Sequence, residues 1–166
     1  MYHPYSLDWS KPLNNNDILR RIRYALDFND SKMIDIFGKA DHEVTREQIS
    51  AWLKKEDDPA YRKCNDTQMT IFLNGLINDR RGKKEEPHPD PGLPLTNNII
   101  FRKIKIALDL KAEDILAMMD LANFHISKHE LSAFFRRPDH KHYRDCKDQI
   151  LRNFIQGVQA KYRADL

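Results

Sequence analysis

Glycine is scarce in this chain of 166 residues, with five in all. None sits in a phosphate-cradling loop or a nucleophile elbow, so the two commonest glycine-dependent catalytic motifs are excluded. Cysteine is scarcer still, at two residues, which rules out a disulfide framework and fits a reducing compartment. No apolar run is long enough to span a bilayer, and alternating strand patterns are nearly absent. The opening Met1-Tyr-His-Pro-Tyr-Ser-Leu-Asp-Trp-Ser-Lys-Pro12 lacks the basic region and apolar core of a secretory signal, and is expected to be a short extension to a cytoplasmic protein. With 40% hydrophobic and 32% charged residues, the balance is that of a soluble globular chain.

What the sequence does contain, it contains twice. At a constant offset of 82 residues, Asn15-Asn16 returns as Asn97-Asn98, Ala25-Leu26-Asp27 as Ala107-Leu108-Asp109, Ser50-Ala51 as Ser132-Ala133, Tyr61-Arg62 as Tyr143-Arg144, Cys64 as Cys146 and Gly75 as Gly157. The correspondence has no gap, so two copies of one folding unit lie in tandem. Four segments result: an extension at 1–14, a first repeat at 15–81, a Pro-rich linker at 82–96 and a second repeat at 97–163. A repeat of this size is near the lower limit for a self-sufficient core, so the two copies are expected to pack together.

Apolar spacing predicts four helices per repeat. Ile18, Leu19, Ile22, Ala25 and Leu26 make the first, mirrored by Ile100, Phe101, Ile104, Ala107 and Leu108. Met33, Ile34, Phe37 and Ala40 mark the second, with Ile115, Leu116, Met119 and Ala122 as counterparts. The third opens on a capping box in both copies, Thr45 to Gln48 and Ser127 to Glu130, and carries Ile49, Trp52 and Leu53, or Leu131, Phe134 and Phe135. Met69, Phe72, Leu73 and Leu76, or Leu151, Phe154, Ile155 and Val158, form the fourth. The expected fold is all-α: two tandem four-helix repeats with helix-turn-helix-like segments, related by a pseudo-twofold.

Charge separates the copies. Residues 15–81 carry 12 basic and 12 acidic side chains, whereas residues 97–163 carry 13 and 8, a net +5. If one copy meets a polyanion more strongly, it is the second. Helices two and three have the size and pattern of a helix-turn-helix, whose second helix enters the major groove by its N-terminal half. With the apolar stripe inward, Arg46, Glu47, Ser50 and Lys54 face out in the first copy, and Lys128, His129, Ser132, Arg136 and Arg137 in the second. Helix one adds a basic triplet, Arg20, Arg21 and Arg23, matched by Arg102, Lys103 and Lys105. These residues are the candidate nucleic-acid contacts. The cluster Arg80, Arg81, Lys83 and Lys84 reads instead as a helix C-terminal cap, where the dipole favours cations.

Other chemistries are poorly served. His125, His129, His140, His142 and Cys146 hold enough nitrogen and sulfur for zinc, but the first copy has Glu43, Glu47, Asp58, Ala60 and Cys64 there, so no metal set repeats. No metal, cofactor or catalytic residue is expected. Asp57-Asp58 and Asp139-His140 are ordinary loop chemistry after a helix that ends in basic residues.

The run from Asn16 to Leu26, the segment Val44 to Pro59, Phe72-Leu-Asn-Gly-Leu-Ile77 and Arg136-Arg-Pro-Asp-His-Lys-His-Tyr143 together resemble the bacterial YehS-like family of small tandem-repeat proteins. The resemblance covers residues 15 to about 163 and implies a bacterial, cytoplasmic protein. It carries no catalytic residues over. The leading expectation is a non-catalytic binder of DNA or RNA. The alternative is a protein-interaction module presenting Trp52, Phe134 or Tyr143 to a protein partner. Oligomeric state is not legible in the sequence.

Overall fold

The computed structural model describes residues 11–85, 88 and 90–164, and every regular element among them is an α-helix. Most of the extension, residues 1–10, and linker positions 86, 87 and 89 lie outside the described residues. The first repeat supplies α1 (Asn15–Ala25), α2 (Asp30–Lys39), α3 (Arg46–Leu53) and α4 (Asp66–Arg81). The second supplies α5 (Asn97–Ala107), α6 (Ala112–Leu121), α7 (Lys128–Ala133) and α8 (Asp148–Ala164). The expected four helices per repeat are all present in the expected order.

Local chemistry sets the helix ends. Asn14, Asn29, Thr45, Asn65, Thr96 and Ser127 each accept a backbone N–H three residues on, and Thr45, Asn65 and Ser127 complete capping boxes. Asp27 and Asp109 have φ of 56° and 54°, and Asp41 and Asn123 have φ of 58° and 57°. These are the left-handed residues that stop helices one and two, a conformation Asp and Asn tolerate better than most. The duplicated Ala-Leu-Asp tripeptide is therefore a helix-exit signal. Helix three differs between the copies: α7 ends at Ala133, and Phe134 and Phe135 bond back to Leu131 and Ser132 in a tighter turn.

The repeats are interlaced. Within each, helix four packs on helix two, α4 on α2 and α8 on α6. Across the repeats, α4 also packs on α5 and α8 on α1. Each fourth helix thus lies closely against the partner repeat's first helix, and far less against its own. Reciprocal ion pairs mark the crossing, Arg81 with Asp109 at 3.1 Å and Arg163 with Asp27 at 3.3 Å. Being exposed, they align the surfaces more than they stabilise them. Apolar burial does that work in one core running through both repeats. Phe37 packs at a tilt against Trp52 and Phe72 in the first, and in the second Phe101 packs at a tilt against Phe134 and stacks on Phe154. Asp148 accepts the backbone N–H of Leu13, so the end of the extension is fastened to α8.

A pair of buried amides joins the parts of each repeat. Asn16 donates to the carbonyls of Trp52 and Arg62, both at 2.9 Å, and accepts from Cys64 N at 3.0 Å. Asn98 does the same with Phe134, Arg144 and Cys146 at 3.0, 2.8 and 2.8 Å. Asn15 and Asn97 add bonds to the carbonyls of Cys64 and Cys146 and to Asp66 and Asp148. The duplicated Asn-Asn therefore ties helix one to the end of helix three and to the loop before helix four.

The duplicated glycine has a steric cause. A Cβ on Gly75 would stand 2.0 Å from the Ile36 carbonyl oxygen, and one on Gly157 would stand 2.1 Å from that of Met118. Gly38, inside α2, has nothing within 4 Å. Gly75→Ala and Gly157→Ala should each cost about 3 kcal/mol in chemical denaturation, because the opposing atom is backbone and cannot rotate away. Gly38→Ala should be neutral or stabilising by up to about 1 kcal/mol. Similar costs at all three sites would contradict the close helix crossing.

Candidate functional site

The structure sorts the sequence-nominated cations by burial and partner. Arg21 and Lys103, the middle members of the two basic triplets, are 8% and 6% exposed and face the other repeat. Arg21 donates to Gln159 at 2.6 Å, and burial pulls its guanidinium down to about 10, still charged at neutral pH. Lys103 reaches Asn74 at 2.6 Å and Asp90 at 2.5 Å. Neither can touch a phosphate, because the cross-repeat packing of α1 and α5 covers the face that they occupy. They are removed from the nucleic-acid set.

The remaining first-repeat candidates are largely engaged. Arg20 is bound by the Asp17 carboxylate and donates to the Lys54 carbonyl at 2.7 Å. Arg20, Arg23, Ser50, Leu53 and Lys54 line a small cleft together with Asp30, so helices one and three do meet there as the sequence suggested. The first-turn cations of helix three are ties to helix two. Arg46 contacts Asp30 and Ser31, and the equivalent Lys128 contacts Glu113 at 3.0 Å. Trp52 and Phe134 are 3% and 8% exposed, so neither can anchor a partner protein.

The second repeat presents a different surface. Behind α7 the chain turns back, with Arg144 N bonded to Ala133 O and Tyr143 N to His140 O. Between helix and returning loop lies a cleft of about 420 Å³ lined by His129, Glu130, Ala133, Arg136, Lys141, His142, Tyr143 and Arg144. Arg136, Lys141 and Arg144 face a single carboxylate there. That carboxylate is committed, since Glu130 accepts the Ser127 backbone N–H at 3.0 Å in the capping box, a bond that holds it below the usual carboxylate range. Among the described residues no acceptor takes the buried Nε of Arg136, which leaves a partly desolvated cation at the cleft wall. Arg102 is exposed, and where its first-repeat counterpart has Asp17 one turn away, Arg102 has Ile99. Ser132 donates its hydroxyl to His129 O, and Lys105 lies 5.1 Å from the Phe135 ring centroid. Arg137 is exposed beside Asp139 at 3.4 Å.

The same loop in the first repeat has the same backbone pattern, with Arg62 N bonded to Ala51 O and Tyr61 N to Asp58 O. Its side chains are less basic, although Lys54 and Arg62 stand where Arg136 and Arg144 do. Glu47, Pro59 and Ala60 occupy the places of His129, Lys141 and His142. Of the sequence candidates that line this cleft, His129 is exposed as expected and Arg136 is half-buried; Lys141, His142 and Arg144, which also line it, sit in a loop outside any helical stripe and were not among them. The position-by-position difference between the copies was the available signal.

The five zinc candidates do not converge, although the His140 and His142 rings lie 5.5 Å apart. His125 pairs with Asp120 at 2.5 Å, and Cys146 is buried behind Asn98. Among the described residues no group of three or more such side chains converges on a metal position. Nor is any described helix long and apolar enough to cross a membrane.

Both thiols are structural. Burial, and then the Asp66 and Asp148 carboxylates respectively, push Cys64 and Cys146 up to about 12. A raised thiol value favours the folded state below the ordinary value of about 8.5, and that contribution disappears as pH rises toward 12. A thiol reagent at pH 8 should therefore label neither cysteine in native protein and both after denaturation. Rapid stoichiometric labelling of either one in native protein would contradict the burial.

The family model described as protein of unknown function (DUF1456) matches residues 15–82 and again residues 97–164, and the chain belongs to that family. It is 43% identical over 148 residues to the uncharacterized protein YehS of Escherichia coli (strain K12), covering 89% of this chain and 95% of that protein. No solved structure matches it.

Proposed function

We propose that this protein is a non-catalytic nucleic-acid-binding protein of the bacterial cytoplasm, and that its working surface is the α6–α7 face of the second repeat. The observation that carries the reading is the greater basicity of one of two otherwise equivalent loops. The α7 cleft gathers Arg136, Lys141 and Arg144, with His129 and His142, around one engaged carboxylate. Its first-repeat counterpart keeps cations at two of those places, Lys54 and Arg62, but has Glu47, Pro59 and Ala60 at the other three. A shared fold requires Tyr143 and the backbone of Arg144; it does not require Lys141 or the two histidines. Clustered cations that outnumber the carboxylates beside them attract phosphates by releasing condensed counterions.

The α6–α7 pair is helix-turn-helix-like in order, but six residues, 122–127, separate the helices, and α7 has only six residues itself. The contact surface therefore centres on the cleft rather than on a long recognition helix. A protein-interaction role has less support, since Trp52 and Phe134 are core residues.

The decisive comparison uses equivalent positions. Binding of duplex and single-stranded oligonucleotides at low salt should be saturable and should weaken steeply as salt rises, with each phosphate contact contributing about 0.7 to 0.9 to the slope. Arg136→Ala with Arg144→Ala should flatten that slope and weaken binding. Lys54→Ala with Arg62→Ala, the same two positions in the first repeat, should have little effect. Equal losses from both pairs would defeat the assignment to the second repeat, and no saturable binding at low salt would defeat the function.

A further inference from the structure

The shape of the site narrows its ligand. An element that reads duplex DNA projects, because base edges lie at the floor of a groove that a helix or ribbon must enter. Here the outer ridge of α7 has little to offer: Lys128 is tied to Glu113, Glu130 to its cap and the Ser132 hydroxyl to His129 O. The free cations line a hollow instead. A duplex presents its phosphates on a convex cylinder and keeps its bases stacked inside, so it can span the rim of a hollow without filling it. A strand with unpaired bases can send one in.

The hollow also continues. A second cleft of about 620 Å³, lined by Glu130, Phe134, Arg144, Asp145, Lys147 and Ile150, shares Glu130 and Arg144 with the first. Arg136 and Lys141 therefore lie on one side of Arg144, and Lys147 on the other. Glu130 and Asp145 balance Arg144 and Lys147 in the second cleft, so the excess of cations that can meet successive phosphates of one strand lies on the Arg136 and Lys141 side. Tyr143 lies half-buried in the first cleft, and at about 420 Å³ that cleft falls within the usual ~300–1,000 Å³ of small-ligand sites. It offers one aromatic side chain, whose hydroxyl is hydrogen-bonded to the Asp145 carboxylate, and several donors, the combination that single-strand binders use.

Resting on the nucleic-acid reading above, we infer that the ligand is single-stranded, with its backbone running past Arg136, Arg144 and Lys147 and one base lodged in the α7 cleft against Tyr143. The ribose hydroxyl has no distinguishing contact here, so single-stranded RNA and DNA are two sources of one chemistry.

Fluorescence anisotropy at low salt tests this with labelled oligouridine and oligothymidine of about 12 nucleotides, a duplex of the same length, and heparin as a polyanion without bases. Both single strands should bind at least about tenfold tighter than the duplex. Tyr143→Ala should weaken single-strand binding by about 5- to 100-fold and leave heparin binding unchanged, while Tyr143→Phe keeps most of the affinity. Tyr61→Ala, the same substitution in the first repeat, imposes a comparable packing loss and should leave binding intact. If the duplex binds as tightly as the single strands, or if Tyr143→Ala weakens heparin and oligonucleotide equally, the single-strand inference fails while nucleic-acid binding stands. If no oligonucleotide of any kind binds, both fail.

Discussion

Everything else in this molecule hangs on one side-chain amide used twice. Asn16 and Asn98 sit in the first turn of the opening helix of each repeat, buried, and each satisfies two carbonyls and one N–H on segments 36 to 48 residues away. Buried backbone groups left unpaired cost about 1 to 3 kcal/mol each, so a side chain that satisfies three at once is hard to replace. The consequence is geometric. The amide fixes where helix three ends and where the returning loop begins its way to helix four, and that loop is one wall of the basic cleft.

The two copies divide their residues between scaffold and surface. Positions identical in both repeats have structural explanations: Asn for the clamp, Asp27 and Asp109 for the helix exit, Gly75 and Gly157 for the close crossing, Cys64 and Cys146 for packing beneath the loop. Around the α7 cleft the copies share two cations, Lys54 and Arg62 answering to Arg136 and Arg144, and differ where Glu47, Pro59 and Ala60 stand for His129, Lys141 and His142. Duplication supplied the frame, and divergence after it left the second copy the more basic. The interlaced packing of α4 on α5 and α8 on α1 braces α8, the helix that the second repeat's loop leads into, against the first repeat.

Much of the fold was legible in the sequence because it is local chemistry. Capping boxes at Thr45 and Ser127 and the apolar spacing of each helix specify the elements without reference to the rest. The ungapped offset gives the symmetry. Burial of Arg21 and Lys103 was not legible, because a basic residue beside an apolar stripe reads as a solvated face until a partner helix covers it. Nothing in the periodicity of one repeat says that the fourth helix will cross to the other. The candidate cleft was half legible: the +5 balance pointed to the more basic repeat, and His129 and Arg136 are among the residues that line the cleft there. Lys141, His142 and Arg144 lie in a loop, where helical periodicity gives no information and the tertiary path of the chain decides what is brought together.

The amide protons of Cys64 and Cys146 report on the clamp and on the unity of the two repeats at once. Neither belongs to a helix, and each is held by one asparagine oxygen, at 3.0 and 2.8 Å respectively. Native-state hydrogen exchange measured across a denaturant series should find both among the slowest amides outside the helices. They should exchange only through global unfolding and with the same opening free energy as the cores of α4 and α8. Rapid exchange at either one, or opening of the second repeat at a free energy clearly below that of the first, would contradict the interlocked fold on which the site depends.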